Sequence, residues 1–190
     1  MQLDIIVAAF SLIFFAELFD KTQLIIISLA TKASRLKVAI GAFSSLLVVT
    51  LIGVILGGVL AAIIPLEIIK IISGIIFVIF GFLSLKSTSD INNLEMPADV
   101  NGTIVKSFVL VGLAELGDKT QLSVILFSAS CGDVLFVFIG ASFAFFLSTA
   151  ISVILGDAIK SKFASYQKEI SYIVAAIFII IGVLLILNLF

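Results

Sequence analysis

The chain has 190 residues, 62% of them hydrophobic and 12% charged, with a formal net charge of -1, whereas soluble domains are nearer half apolar and a quarter charged. This balance excludes a soluble globule, and the absence of any basic patch excludes nucleic acid as a partner. There is no histidine and a single cysteine, Cys131, so an intramolecular disulfide, a cysteine-rich metal site and histidine-based proton chemistry are all excluded. Any metal or proton chemistry must run on carboxylates.

Apolar runs long enough to cross a hydrocarbon core of about 30 Å recur along the whole chain. The first, beginning MQLDIIVAAF, lacks the basic flank of a signal peptide and continues too far for one, so it reads as a transmembrane helix that stays. In chain order the expected spans are 5–30, 38–61, 67–85, 104–128, 134–156 and 170–189. The connections are TKASRLK, a turn at Ile64-Pro65, the polar stretch from Ser87 to Thr103, the Cys131-Gly132-Asp133 turn, and a lysine-bearing segment from Lys160 to Lys168. Only STSDINNLEMPADVNGT, rich in Asp and Asn, suits a linker between halves.

The chain repeats itself across that linker. FAELFDKTQL from Phe15 to Leu24 returns as LAELGDKTQL from Leu113 to Leu122. An offset of 98 aligns Glu17 with Glu115; 99 aligns Gly41-Ala42 with Gly140-Ala141, Thr50 with Thr149 and Leu56-Gly57 with Leu155-Gly156; and 101 aligns Phe77 with Phe178 and Gly81 with Gly182. The drift falls in loops, where insertions are tolerated. The expected architecture is an all-α integral membrane protein of six transmembrane helices in two three-helix repeats, 1–86 and 104–190, joined by a polar cytoplasmic linker, 87–103.

Three spans per repeat force the halves into opposite orientations. With the N-terminus outside, Lys32, Arg35, Lys37, Lys86, Lys106, Lys160, Lys162 and Lys168 fall in inner loops and only Lys70 in outer ones, the bias of the positive-inside rule. Both termini are therefore expected outside, in a multi-pass protein of a bacterial or archaeal plasma membrane. Inverted repeats are common in secondary transporters, whose sites lie near the midplane between the halves.

The repeated motif places charges inside apolar spans, where each costs roughly 2.5–3.5 kcal/mol on the insertion scale. If each motif is one continuous helix, Glu17, Asp20, Lys21 and Leu24 share a stripe that Ser28 and Thr31 continue. Glu115, Asp118, Lys119 and Leu122 share its counterpart, and Thr22 and Thr120 point elsewhere. A structural explanation is available: Glu17–Lys21 and Glu115–Lys119 are i, i+4 pairs in the favourable order. It leaves Asp20 and Asp118 unexplained. A site uses all of them, because Glu17, Asp20, Glu115 and Asp118 with Lys21 and Lys119 carry a formal charge of -2, which one divalent cation or two protons would balance. An all-oxygen site suits Mg²⁺, Ca²⁺ or Mn²⁺, with Gln23, Gln121, hydroxyls or water completing the shell. Ser44, Ser45 and Thr50, with Ser142, Ser148, Thr149 and Ser152, fit either cavity lining or helix packing, and Gly53, Gly57 and Gly58 fit close helix approach.

The sequence Glu115-Leu116-Gly117-Asp118-Lys119-Thr120 resembles the E-x-G-D-(K/R)-(T/S) hallmark of the cation transporter family that includes Golgi and chloroplast manganese transporters and bacterial manganese exporters. Glu17-Leu18-Phe19-Asp20-Lys21-Thr22 matches it except at Phe19, which stands in place of glycine. The resemblance implies a secondary transporter, not an enzyme, with no cofactor. It would move Mn²⁺, and sometimes Ca²⁺, out of the cytosol in exchange for protons. The motif acids would bind the ion, supported by Lys21, Thr22, Gln23, Lys119, Thr120 and Gln121. The expected partners are the lipid bilayer, the divalent cation and protons, with a homo-oligomer left open. The rival readings are an exporter of small organic solutes such as amino acids, and a passive cation channel. The chain's lack of Trp and scarcity of intramembrane amides weigh against the first.

Overall fold

The computed structural model describes residues 2–18, 20–85 and 102–189, with 155–168 and 170 described by their backbone alone. Its seven elements are α1 (Gln2–Glu17), α2 (Lys21–Lys32), α3 (Arg35–Ile63), α4 (Leu66–Ser84), α5 (Thr103–Glu115), α6 (Lys119–Cys131) and α7 (Val134–Ile186). The described residues are all helical or connecting. The linker 87–103 lies outside them up to Asn101, and so does Phe19.

Helix is the form an apolar segment takes in lipid, because it pairs its own backbone groups. Among the described residues three stretches are long and apolar enough to cross a membrane, α3, α4 and Val134–Ile154, and α1 with α2, bent by 66° at their break, adds a fourth if the pair is taken as one span. Outward-facing Ile52, Ile55, Val59, Ile68, Ile75 and Ile79 on α3 and α4 are about half exposed, which in lipid is an ordinary surface. Turns are placed by local chemistry. Pro65, which has no N–H to donate, precedes α4, and Gly132 ends α6 in the left-handed region (φ 67°), its N–H bonded to the Ser128 carbonyl.

Glycines bring the helices close. A Cβ on Gly41 would collide with the Ile104 carbonyl oxygen and Ser107 Cβ of α5; one on Gly140 would collide with the Ile6 carbonyl oxygen and Ala9 Cβ of α1. The same contact is thus made twice, by residues at equivalent places in the repeat. Gly74 and Gly182 approach each other in the same way, and Phe77 and Phe178, also repeat equivalents, meet edge to face at 5.8 Å.

These contacts fix directions. Gly41 and Ser45 of α3 meet Ser107 and Gly112 of α5 in rising order, so α3 and α5 run parallel. Gly140 meets Ile6 and Ala9 of α1, and Ser152, further along, meets Gln23 of α2, so the first stretch of α7 follows α1 and then α2 in the same chain direction. Phe43 touches Phe146, and Gly58 abuts Val134, so α3 and that stretch are antiparallel. Consequently α1 and α5 start at opposite ends of the bundle and finish near its middle.

The structure differs from expectation in three places. The first and fourth spans are not single helices, because each breaks inside the charged motif. The segment from Lys160 to Lys168, expected to separate two spans, carries helical backbone within the 53-residue α7. A straight helix of that length would span about 80 Å. Yet its first residue abuts Gly58 and Asn188, just past its end, accepts a hydrogen bond from Lys70. Gly58 and Lys70 flank the same α3–α4 turn, so α7 does not run straight, and Val134–Ile154 packs on α1 while Ser171–Ile186 packs on α4.

Candidate functional site

The two breaks are built alike. α1 ends at Glu17 and α5 at Glu115, and the next turn closes with Asp20 N–H to the Glu17 carbonyl and Asp118 N–H to the Glu115 carbonyl, both 3.1 Å. Asp20 (φ -81°, ψ 170°) and Asp118 (φ -80°, ψ 163°) are the N-cap residues of α2 and α6. Gly117, at φ +79°, makes the second turn in a conformation few other residues tolerate. Each glutamate therefore ends one half-helix and each aspartate begins another. The single stripe expected of a continuous helix does not form.

Neither aspartate caps its own helix. Lys119 Nζ lies 3.2 Å from Asp20 Oδ1, and Lys21 Nζ lies 3.2 Å from Asp118 Oδ1. The lysines thus pair across the repeats with aspartates, in place of the i, i+4 pairs with Glu17 and Glu115. The break is the reason: once the helix restarts at Asp20 or Asp118, the lysine no longer sits one turn above its own glutamate. Lys21 is half exposed, which leaves this side of the cluster open, while Lys119 is two-thirds covered.

The glutamates lie deeper. Glu17 is 0% and Glu115 1% exposed. Thr22 Oγ1 donates to Glu115 Oε2 at 3.1 Å, so Thr22, which a continuous helix would turn away, faces the other repeat's acid. Gln23 Nε2 donates to Glu17 Oε1 at 3.4 Å, and Ser152 Oγ donates to Gln23 Oε1. The matching amide of the second repeat is spent differently, because Gln121 Oε1 accepts the Gly117 N–H at 2.7 Å. Thr120, the counterpart of Thr22, is buried with its hydroxyl unpaired among the described residues.

Glu17 lies within electrostatic reach of Glu115, Asp20 and Asp118, so the four acids form one charge cluster. Each also keeps one buried oxygen that no N–H or O–H donor among the described residues satisfies: Glu17 Oε2, Asp20 Oδ2, Glu115 Oε1 and Asp118 Oδ2, although the Asp20 and Asp118 carboxylates lie within hydrogen-bonding reach of each other. Buried polar atoms are nearly always satisfied, so four orphaned carboxylate oxygens mark a place where something positive or protic belongs. These oxygens do not form a ready cage, since among the described residues no three acid or thiol side chains converge closely enough to hold a metal ion.

A protein with this composition, two broken helices and an intramembrane acid cluster belongs to the membrane transporters. The chain belongs to the family described as divalent cation/proton antiporter GDT1, matched over residues 5–92 and 103–190. It is 26% identical to a GDT1-like protein of Schizosaccharomyces pombe over 93% of this chain and 80% of that one. It is 28% identical to a GDT1-like protein of Synechocystis sp. over 93% of each. With protein PAM71, chloroplastic, of Arabidopsis thaliana it shares 31% identity over 91% of this chain and 54% of that protein. No solved structure matches. The family is one of transporters, not of enzymes.

Proposed function

We propose that this protein exports a divalent cation from the cytoplasm, Mn²⁺ foremost with Ca²⁺ as a second substrate, in exchange for protons. The observation that carries the reading is the orphaned oxygen on each of Glu17, Asp20, Glu115 and Asp118, in a cluster whose formal charge with both lysines is -2. Oxygen donors without nitrogen or sulfur favour Mn²⁺ and Ca²⁺ over zinc or copper. Charge alone accepts either one such ion or two protons, and competition between them is the physical content of antiport.

Residues 1–86 and 104–190 act in this reading as inverted three-helix repeats joined by 87–103, with six crossings and both termini outside. The doubled contacts of Gly41 and Gly140, and the doubled Lys–Asp bridges, support it. So does charge placement: Lys32, Arg35, Lys37 and Lys106 lie towards the end of the bundle opposite Lys70, as a cytoplasmic end would require. The lysines serve as tethered cations. Each neutralises an aspartate until the metal arrives and is then released, drawing the free oxygens together. The metal-loaded or protonated cluster is close to neutral and can be occluded between apolar walls. Thr22, Gln23, Thr120 and Gln121 position the carboxylates or complete the shell.

Purified protein in liposomes provides the test. Mn²⁺ uptake driven by a proton gradient should fall at least 100-fold in Glu115→Ala and in Asp118→Ala, with insertion unchanged. Asp118→Asn should retain partial transport with an altered dependence on pH. Near-normal flux in both alanine variants would remove the site. Amino-acid counterflow in place of Mn²⁺ flux would favour an organic-solute exporter, and Mn²⁺ flux indifferent to the proton gradient would favour a channel.

A further inference from the structure

The two helices that deliver the glutamates differ along the faces they bury. On α5 the buried residues are Thr103, Ser107, Val111 and Glu115, one every four residues from the first turn to the carboxylate. At an offset of 98 their counterparts on α1 are Ile5, Ala9, Ile13 and Glu17, all buried as well. The repeat thus keeps the acid and its approach, but one approach is hydroxylic and the other apolar.

Two hydroxyls on the seam between α3 and α5 are unpaired among the described residues. Ser107 Oγ, and Ser45 Oγ on the α3 side of the same seam, have no hydrogen-bond partner among the described residues, although the two serines are 0% and 1% exposed. Thr120, Ser142 and Thr149 also carry a buried hydroxyl with no partner among the described residues, but several others are satisfied within their own helix. Thr50, Ser84, Ser123 and Ser130 each donate to the carbonyl four residues back in their own helix, the usual resting place for a serine or threonine in an apolar helix. The α3–α5 seam is shut by glycine contacts, with Gly41 against Ser107 and Gly112 against Ser45. Shut, it leaves two hydroxyls unsatisfied; parted, it would give both to water. Parting the α1–α7 seam, where Gly140 meets Ile6 and Ala9, would instead wet Ile5, Ala9 and Ile13, the apolar face of α1.

We infer that the α3–α5 seam is the wettable access route to Glu115, lined by Ser45, Ser107 and Thr103. It opens towards the end of the bundle that carries Arg35 and Lys106 and admits the hydrated cation and protons. The α1–α7 seam is its dry counterpart. This rests on the transport reading, and it makes the two sides of the transporter unequal: the Lys106 end exchanges with water more readily than the opposite end.

Cysteine accessibility tests it without measuring transport. In a Cys131→Ser background, Ser107→Cys and Ala9→Cys are reconstituted and exposed to a membrane-impermeant thiosulfonate from each side in turn. Ser107→Cys should react from the Lys106 end at least tenfold faster than Ala9→Cys reacts from either side, and Mn²⁺ should change that rate. Equal rates, or no reaction at Ser107→Cys, would overturn the inference even if the carboxylate variants abolish transport. If Ser107→Cys does not insert, Ser45→Cys across the same seam gives the same reading. Labelling with no loss of transport in the carboxylate variants would instead keep the access route and remove the site.

Discussion

Glu17 and Glu115 occupy equivalent positions but are held by different means. Glu17 takes a side-chain amide from its own repeat, steadied by Ser152, while Glu115 takes a hydroxyl from the opposite repeat. The difference traces to one residue: the repeat places Gly53 where the second half has Ser152, so Gln121 lacks a hydroxyl to steady it and turns to the Gly117 N–H. A neutral hydrogen bond of this kind contributes about 1 kcal/mol. Ser152→Ala should therefore raise the KM for Mn²⁺ about fivefold with little change in maximal rate, measured as initial uptake into liposomes. An unchanged KM would mean that Gln23 does not order Glu17. The acids themselves were legible in the sequence, because charge in an apolar run is too costly to be incidental. Their partners were not. Ser152 lies 129 residues from Gln23 and Thr22 lies 93 from Glu115, and nothing local announces either contact.

At the scale of the element, the breaks are what the sequence concealed. Hydropathy averages over windows longer than the break, so Gln2–Glu17 with Lys21–Lys32 and Thr103–Glu115 with Lys119–Cys131 read as unbroken spans. The clue in the second motif was Gly117, whose φ of +79° other residues adopt only at a cost. A Cβ there would meet nothing within 4 Å, so the cost of substitution is the backbone's alone, roughly 1 kcal/mol. Gly117→Ala should lower stability by about that amount, and Gly117→Asn by less, because asparagine tolerates the left-handed region. Unfolding of the detergent-solubilised protein by titration with sodium dodecyl sulfate measures both. Equal losses would point to a cause other than φ. The broken form also explains why the lysines left their own glutamates, since a helix restarted at Asp20 or Asp118 turns Lys21 and Lys119 towards the opposite repeat.

At the scale of the whole molecule, the duplication was the most legible feature, and the contacts repeat it: Gly41 with Gly140, Phe77 against Phe178, and two lysine bridges of equal length. What the sequence left open was whether the two motifs meet, and the crossed bridges answer that. One consequence concerns voltage. A cluster of formal charge -2 that returns with two protons after leaving with one divalent ion carries the same charge both ways. Exchange should therefore be electroneutral, and clamping the membrane at 100 mV of either sign with potassium and valinomycin should leave the Mn²⁺ gradient at equilibrium unchanged. A single uncompensated charge would be worth about 2.3 kcal/mol per 100 mV, roughly a fiftyfold shift in that gradient. The same competition sets the sign with pH: acidifying the face that loads metal protonates the oxygens it needs and raises KM there, while acidifying the opposite face speeds release. A voltage-dependent gradient with this pH response intact would show that the number of protons exchanged per metal ion is not two, whereas loss of the pH response would separate metal from protons altogether.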